Sequence, residues 1–359
     1  MRTQLLKNTL LATVALTLLP SCALHSPKES DTQTRYFELI DQLNQNHASR
    51  AERIDQLTES LMGIVYVDGN LGEGEQGQFD QDPLLRFDAF DCTTYVETII
   101  AGVTARNASE FLPRLTQLRY QDGEIDFVKR NHFPSVDWLP NNQSVLEEVT
   151  PQVGAEYTLY AHTVIDKQAW YQSMGPERIQ LPNSSPEQQA QALQQLRQAG
   201  AHFAPEPVNT PYIPLTAIFV PQQADPAKIP ARQQASQAIE QDNTLNDKTR
   251  QQALQQLALT TRQQDAHLNQ TLLDRIPSGS VISIVRPNYE VKQWIGTNMN
   301  ITHQAIAVRR DGQLYLRHAS QLKRQVIEQD FVDYFSHYLL SASVKGFNIQ
   351  VIRPEALAR

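Results

Sequence analysis

The sequence predicts an α+β protein, with N-terminal helices packed on an antiparallel sheet that takes up the last third of the chain. Three observations carry this. Residues 36–62 place Phe37, Ile40 and Leu43, then Ile54, Leu57 and Leu61, on one side at helical spacing. Residues 280–285, 301–308, 314–318 and 347–352 read as strands rich in β-branched side chains. Asp311-Gly312 lies between two of these strands as a two-residue hairpin turn. Helices first and hairpin-linked strands later is the pattern of an α+β domain.

Taken in order, the chain opens with Arg2 and Lys7 ahead of an apolar run that stops at Pro20. This is a secretory signal, too short to span a bilayer. Leu19-Pro20-Ser21-Cys22 resembles a bacterial lipobox, which implies cleavage after residue 21 and lipidation of Cys22. Residues 22–35 then read as a polar tether. Gly63, Gly69, Gly72, Gly74 and Gly77 lack the Gly-Lys-Ser/Thr ending of a phosphate loop and are turn residues. A helix follows Asp91, and another starts near Phe111. Ser185-Pro186-Glu187-Gln188 is a helix start, with a cap hydroxyl, proline at the first helical position and glutamine at the box position.

Residues 208–221 form an apolar stretch punctuated by prolines. A glutamine-rich segment at about 222–270 follows, with one leucine stripe through Leu254 and Leu257, and reads as a helical hairpin inserted on the surface. Residues 36–359 are expected to be one domain carrying that insertion. No internal repeat is present.

Composition excludes some functions. The chain has 359 residues, 40% of them hydrophobic, enough for a sizeable core. A formal charge of −8 argues against a protein that works by neutralising phosphate backbones, so nucleic acid is not an expected partner. Only two cysteines occur. If Cys22 carries lipid, its sulfur is a thioether and Cys92 has no disulfide partner, which calls for another role.

The residues around Cys92 suggest one. Val96, Ile99, Ile100 and Val103 mark a helix face, Cys92 lies four residues before Val96, and Asp91 suits the cap. A thiol in the first turn feels the positive end of the helix dipole, where pKa values of about 3.5–7.5 are common. Counting outward from Asp311-Gly312 pairs Arg310 with Gln313 and sets His303 and His318 diagonally on one side of the hairpin, close enough to share a hydrogen bond. The apolar face of the Cys92 helix is expected to meet that same side. A thiol, a base and an orienting group are the requirements of nucleophilic acyl transfer.

These residues also carry a resemblance. The segments LMGIVYVDGNL, DCTTYVE, RNHFPSVDWLPNN, ITHQAIAV and RHAS, in this order, resemble the N-acetylmuramoyl-L-alanine amidase-like family of bacterial cysteine hydrolases, grouped with NlpC-type, papain-related cell-wall enzymes. The resemblance implies a papain-like (NlpC-type) fold on an antiparallel sheet or barrel. It also implies cleavage of the bond between N-acetylmuramic acid and L-alanine in peptidoglycan or its fragments, with no cofactor or metal. Cys92 would be the nucleophile, His303 the base and His318 the third member. Tyr66 would stand beside the thiol.

Within the RNHFPSVDWLPNN segment, Arg130, His132, Asp137, Trp138 and Asn141 are candidates for substrate binding, Arg130 through a peptide carboxylate and Trp138 by stacking on a sugar. Against this stands a plain structural reading, an Arg-Asp pair and a core Trp. Glu97, off the Cys92 face, reads as structural. The implied location is the periplasmic face of an outer membrane, with peptidoglycan or muropeptides and the membrane as partners; the oligomeric state is open. Two alternatives stay open: a stem-peptide endopeptidase of the same superfamily, and a non-catalytic muropeptide-binding envelope lipoprotein. A zinc amidase is disfavoured because no HExxH or CxxC spacing occurs.

Overall fold

The computed structural model describes residues 29–69 and 71–358, so the signal segment and Cys22 lie outside the described residues. Helices α1 (Glu29–Gln45) and α2 (Arg50–Glu59) cover most of the first periodic stretch, and α1 begins at Glu29, inside the segment read as a tether, whose second half is therefore helical. They are separate because His47 takes a left-handed φ of 52° and Ser49 starts α2 with a capping box closed by Glu52. Their apolar stripes bury Tyr36, Ile40, Leu43, Ile54 and Leu57, and Leu61 is buried just past the end of α2. Helix α3 (Cys92–Thr104) lies against them, and α4 (Ala108–Arg119) follows. Gly102 permits the close approach: a Cβ there would sit 2.5 Å from the Tyr36 hydroxyl, which donates to the Thr98 carbonyl oxygen at 2.9 Å.

Twelve strands are present among the described residues. The short β1 (Val65–Tyr66) and β2 (Ala89–Phe90) precede α3; β3 (Leu146–Glu148), β4 (Leu159–Ile165) and β5 (Glu206–Pro214) follow α4. A separate two-stranded ribbon is formed by β6 (Phe219–Pro221) and β7 (Ala266–Leu268). The C-terminal strands are β8 (Val281–Tyr289), β9 (Met299–Arg310), β10 (Gln313–Ser320), β11 (Gln325–Asp330) and β12 (Gly346–Ile352). Ten of them make one sheet, ordered β2-β1-β11-β10-β9-β8-β12-β5-β4, with β3 on β12. All pairings are antiparallel except β1 with β2, which makes the sheet mixed.

The sheet therefore reaches well beyond the last third of the chain. The stretch that reads as a proline-punctuated interruption holds β5, whose prolines at 207 and 211 cannot donate to a ladder. The strand accommodates them because it pairs with β12 only at Ile213 and Pro214.

The two faces of the sheet carry different cores. On one, Val281, Val285, Ile301, Ile306, Val308 and Ala319 pack with α1, α2 and α3. On the other, Ile282, Ile284, Ala305, Ala307, Leu314 and Leu316 pack with Phe331 and Phe335 of the short helix Phe331–Ser336. A buried leucine, isoleucine or phenylalanine contributes about 1.5–3 kcal/mol, so each face holds a core of its own.

In the glutamine-rich segment, the helices Ile229–Gln241 and Asp247–Gln264 bury no residue. The β6–β7 ribbon stands at their base, and Arg232 pairs with Asp265 across them at 2.6 Å.

Candidate active site

Helix α3 begins at Cys92 for a local reason. Asp91 is extended, its carboxylate accepts from the Thr94 N–H at 2.8 Å, and its own N–H donates to the Thr94 hydroxyl at 3.0 Å. Cys92 is thus the first helical residue, and its backbone N–H has no acceptor inside the helix. The thiol is partly buried, and the Gln304 N–H of β9 donates toward it. Beside it, the Thr93 hydroxyl donates to the Gln304 side-chain oxygen at 3.1 Å, tying the helix start to the strand. Tyr66, buried on β1, lies near enough for the thiol to affect its phenol electrostatically.

The hairpin has the register counted from its turn: Gln313 pairs with Arg310 and Arg317 with Ile306, and Asp311 and Gly312 have φ of 49° and 82°. His303 Nε2 and His318 Nδ1 are 2.7 Å apart, with the rings edge to face. On the neighbouring strand, Gln329 faces His318, its Oε1 3.1 Å from Nε2.

That contact sets the tautomers. An amide oxygen only accepts, so His318 Nε2 carries the proton and Nδ1 is a bare acceptor. His303 Nε2 must then donate to it, which leaves the His303 Nδ1 lone pair free to take a proton.

Two expectations are corrected. The apolar face of α3 does not meet the side of the sheet that shows the histidines. It packs with Ile306, Val308 and Ala319, whereas His303 and His318 alternate with these and share the side of Ala305 and Leu316. Cys92 and His303 nevertheless line one cavity of about 390 Å³. The register shift between Ile284 and Val285 inserts Thr302 as a bulge beside His303, and bulges re-aim side chains at strand ends.

The thiol is also not acidified. Burial, and then the Asp91 carboxylate, push it up to about 12. Burial, with His318 next to it, holds His303 down at about 3, and burial holds His318 at about 4. Desolvation outweighs the helix dipole here because it penalises every charged form in the cavity wall. The resting pair is a neutral thiol and a neutral imidazole. Iodoacetamide alkylation of Cys92 is therefore expected to accelerate about tenfold per unit between about pH 7 and 9, following the thiolate fraction. A rate already level across that range would show a pre-formed thiolate and overturn this reading.

The RNHFPSVDWLPNN segment is mostly structural. Trp138 is fully buried and its indole N–H donates to Glu97 at 3.1 Å, so no ring face is left for a sugar. Asp137 pairs with Lys167 at 2.8 Å, and the Asn141 amide donates to Asn131 at 2.7 Å. Arg130 lines the cavity, but its guanidinium already faces Glu73 at 2.5 Å and Asp80 at 3.6 Å, which leaves little charge for a peptide carboxylate. His132 also lines the cavity; its Nε2 contacts the Phe127 carbonyl oxygen at 2.7 Å, and burial holds the ring well below the usual histidine range. Glu97, almost fully buried, is paired with Arg119 at 2.8 Å on the wall of the Cys92 cavity. The residues that sequence reasoning misses are Gln304 and Gln329. Nothing local marks a glutamine as facing a histidine on the next strand.

The chain has a mixed α/β fold in which Cys92 and His303 line one cleft and His318 bonds His303 from outside it, and a solved structure shares that fold. A protein of Legionella pneumophila str. Philadelphia 1 superposes with a TM-score of 0.73 at 29% identity, over 91% of this chain and 97% of that one. An N-acetylmuramoyl-L-alanine amidase of Bacteroides uniformis aligns at 20% identity and a TM-score of 0.49, over 85% of this chain and 99% of that one. No curated protein matches. The family model described as N-acetylmuramoyl-L-alanine amidase-like matches residues 56–339, and the chain belongs to that family.

Proposed function

We propose that this protein hydrolyses the amide between N-acetylmuramic acid and L-alanine in peptidoglycan or its turnover fragments, with Cys92 as nucleophile, His303 as base and His318 as the orienting group. The observation that carries this is the 2.7 Å His303–His318 hydrogen bond on the wall of the cavity that Cys92 shares with His303. A thiol on a helix start followed by paired histidine strands also supports the papain-like, NlpC-type placement. From the sequence alone comes the rest of the proposal: a lipoprotein anchored through Cys22 to the outer membrane, facing the periplasm, with residues 36–359 as one domain and the insertion at about 222–270.

In this mechanism Cys92 gives its proton to His303 Nδ1 as the sulfur attacks the lactyl carbonyl carbon. The carbonyl π-bond opens to an oxyanion, and the free Cys92 N–H is oriented to receive it; one such donor is worth about 3 kcal/mol. The imidazolium returns its proton to the departing alanine nitrogen, the C–N bond breaks, and a thioester remains. Water then attacks with His303 as base, releasing the muramoyl acid and restoring the thiol. Charge on the dyad appears only during bond making, and the proton transfer from Cys92 to His303 is uphill from the neutral resting pair.

Digestion of defined muropeptides with mass detection tests the reading. Loss of the whole peptide from the sugar is the expected result, and a retained dipeptide on the sugar would instead indicate a stem-peptide endopeptidase. The tautomer chain adds its own expectation. Gln329→Leu removes the acceptor that fixes His318 and is expected to lower kcat at least about tenfold with KM little changed, because the wrong tautomer cripples such triads. Gln329→Glu, which still accepts, is expected to retain most activity. An unchanged kcat in Gln329→Leu would remove Gln329 from the mechanism.

A further inference from the structure

His303 borders two cavities. The one of about 390 Å³ contains Cys92; the other, about 630 Å³, opens on the His318 side of the base and is lined by His303, Thr302 and His318 but not by Cys92. The mechanism above uses the first and gives the second no part.

The charge of this second cavity is opposite to that of the chain. With histidines counted as neutral, the chain carries −8, whereas the cavity wall has two cations, Arg286 and Lys323, against one carboxylate, Asp333. Among the described residues, no ion pair engages any of the three. Lys323 and Asp333 are exposed, and Arg286 is partly buried.

The Arg286 guanidinium is fixed in place. Its Nε donates to the Thr302 hydroxyl at 3.0 Å, Nη1 donates to the Ser343 hydroxyl, and the group lies over the Tyr289 ring at 4.9 Å from its centre. Nη2 donates to no protein group among the described residues. Thr302 accepts from Arg286, so its own hydroxyl hydrogen remains available to a ligand. A preorganised guanidinium edge with a free nitrogen matches an oxyanion, and Lys323 adds a point charge on a flexible stem.

This charge bears on the chemistry at Cys92. Thr302 precedes His303 in β9, and the Arg286 charge opposes protonation of the His303 ring. That ring must take the thiol proton. An anion paired with Arg286 offsets the opposing charge and lowers the cost of forming the imidazolium.

We propose that the cavity on the His318 side is an anion site, in which Arg286 and Lys323 hold a small oxyanion, phosphate or carboxylate, and that its occupancy raises turnover at Cys92 without competition with the substrate. The effect on turnover rests on the Cys92–His303 reading; the binding does not.

Calorimetric titration with sodium phosphate and, in a separate arm, sodium acetate tests the binding, with chloride holding the ionic strength constant. Saturable binding is expected; tighter phosphate assigns the site to phosphate groups, and tighter acetate assigns it to carboxylates. Arg286→Gln is expected to weaken binding at least about tenfold, the size of a hydrogen bond to a charged group. Lys323→Gln, at an exposed position that leaves Thr302 untouched, is expected to weaken it about two- to fivefold. In the muropeptide assay, the bound anion is expected to raise kcat about threefold or more with KM little changed. Lys323→Gln then needs more anion for the same rise and keeps its basal kcat. No saturable binding of either anion, or binding unchanged in both variants, overturns the site. Inhibition competitive with the muropeptide overturns it too, because the anion would then sit in the Cys92 cleft, and binding with kcat unchanged overturns the coupling to His303. Binding that responds to both variants in a protein that hydrolyses no muropeptide would take down the amidase reading and leave the anion site standing.

Discussion

Cys92→Ala is expected to lower turnover of muropeptides by at least about 10⁴-fold, while the protein keeps its melting temperature to within a few degrees. The size follows from the role. Removing a nucleophile abolishes the covalent route, and the residual rate comes only from binding and oxyanion stabilisation, as in other triads where one missing member costs nearly as much as all. The fold is expected to survive because the thiol makes little packing. It is only partly buried, and its near contacts are a weak one with the Thr93 hydroxyl at 3.9 Å and the Gln304 N–H. The helix start is held by Asp91 and Thr94, which the substitution leaves in place. Circular dichroism and a muropeptide assay on the same sample decide the matter: substantial turnover by Cys92→Ala rules out the nucleophile, and a non-catalytic muropeptide-binding role predicts no hydrolysis by either protein.

The second large effect is on stability. Glu97→Ala is expected to cost about 3–5 kcal/mol, measured as a shift in urea denaturation midpoint at unchanged slope. Glu97 and Arg119 are both almost fully buried, and the carboxylate accepts from Arg119 Nε at 2.8 Å and from the Trp138 indole at 3.1 Å. Removing it strands a guanidinium and an indole N–H inside the protein. Replacing both charged partners by methionine is expected to cost much less, because no uncompensated charge stays behind. A loss below about 1 kcal/mol for Glu97→Ala would show that water reaches Arg119 and that the pair is not a buried link between α3, α4 and Trp138.

What was legible follows from which interactions are local. The start of α3 can be read because an N-cap needs only Asp91 and Thr94, three residues apart. The meeting of His303 and His318 can be read because a two-residue turn at Asp311-Gly312 fixes every later pairing by counting. The second turn-linked strand, β11, is missed although it supplies Gln329, since Gln-Val-Ile-Glu-Gln-Asp carries little apolar signal. The strands β3 and β5 are missed because short length and prolines hide them from period-two patterning, and β4 because its exposed positions are themselves apolar, Leu159, Tyr160 and Val164.

By itself, the sequence determined the local devices: a capped thiol, a hairpin with two diagonal imidazoles, a capped helix at Ser185 and an acidic chain unsuited to nucleic acid. Only the tertiary structure decided how they combine. It put α3 on the opposite face of the sheet from the histidines, with the Thr302 bulge beside His303 where Cys92 and His303 share one cavity. Burial then made the thiol and imidazoles neutral, overriding the helix dipole that local position alone suggests. It also spent Trp138, Asp137 and Arg130 on internal partners. The reason is common to all of these: desolvation and ion pairing depend on what surrounds a group in three dimensions, and the chain near it carries no record of those neighbours.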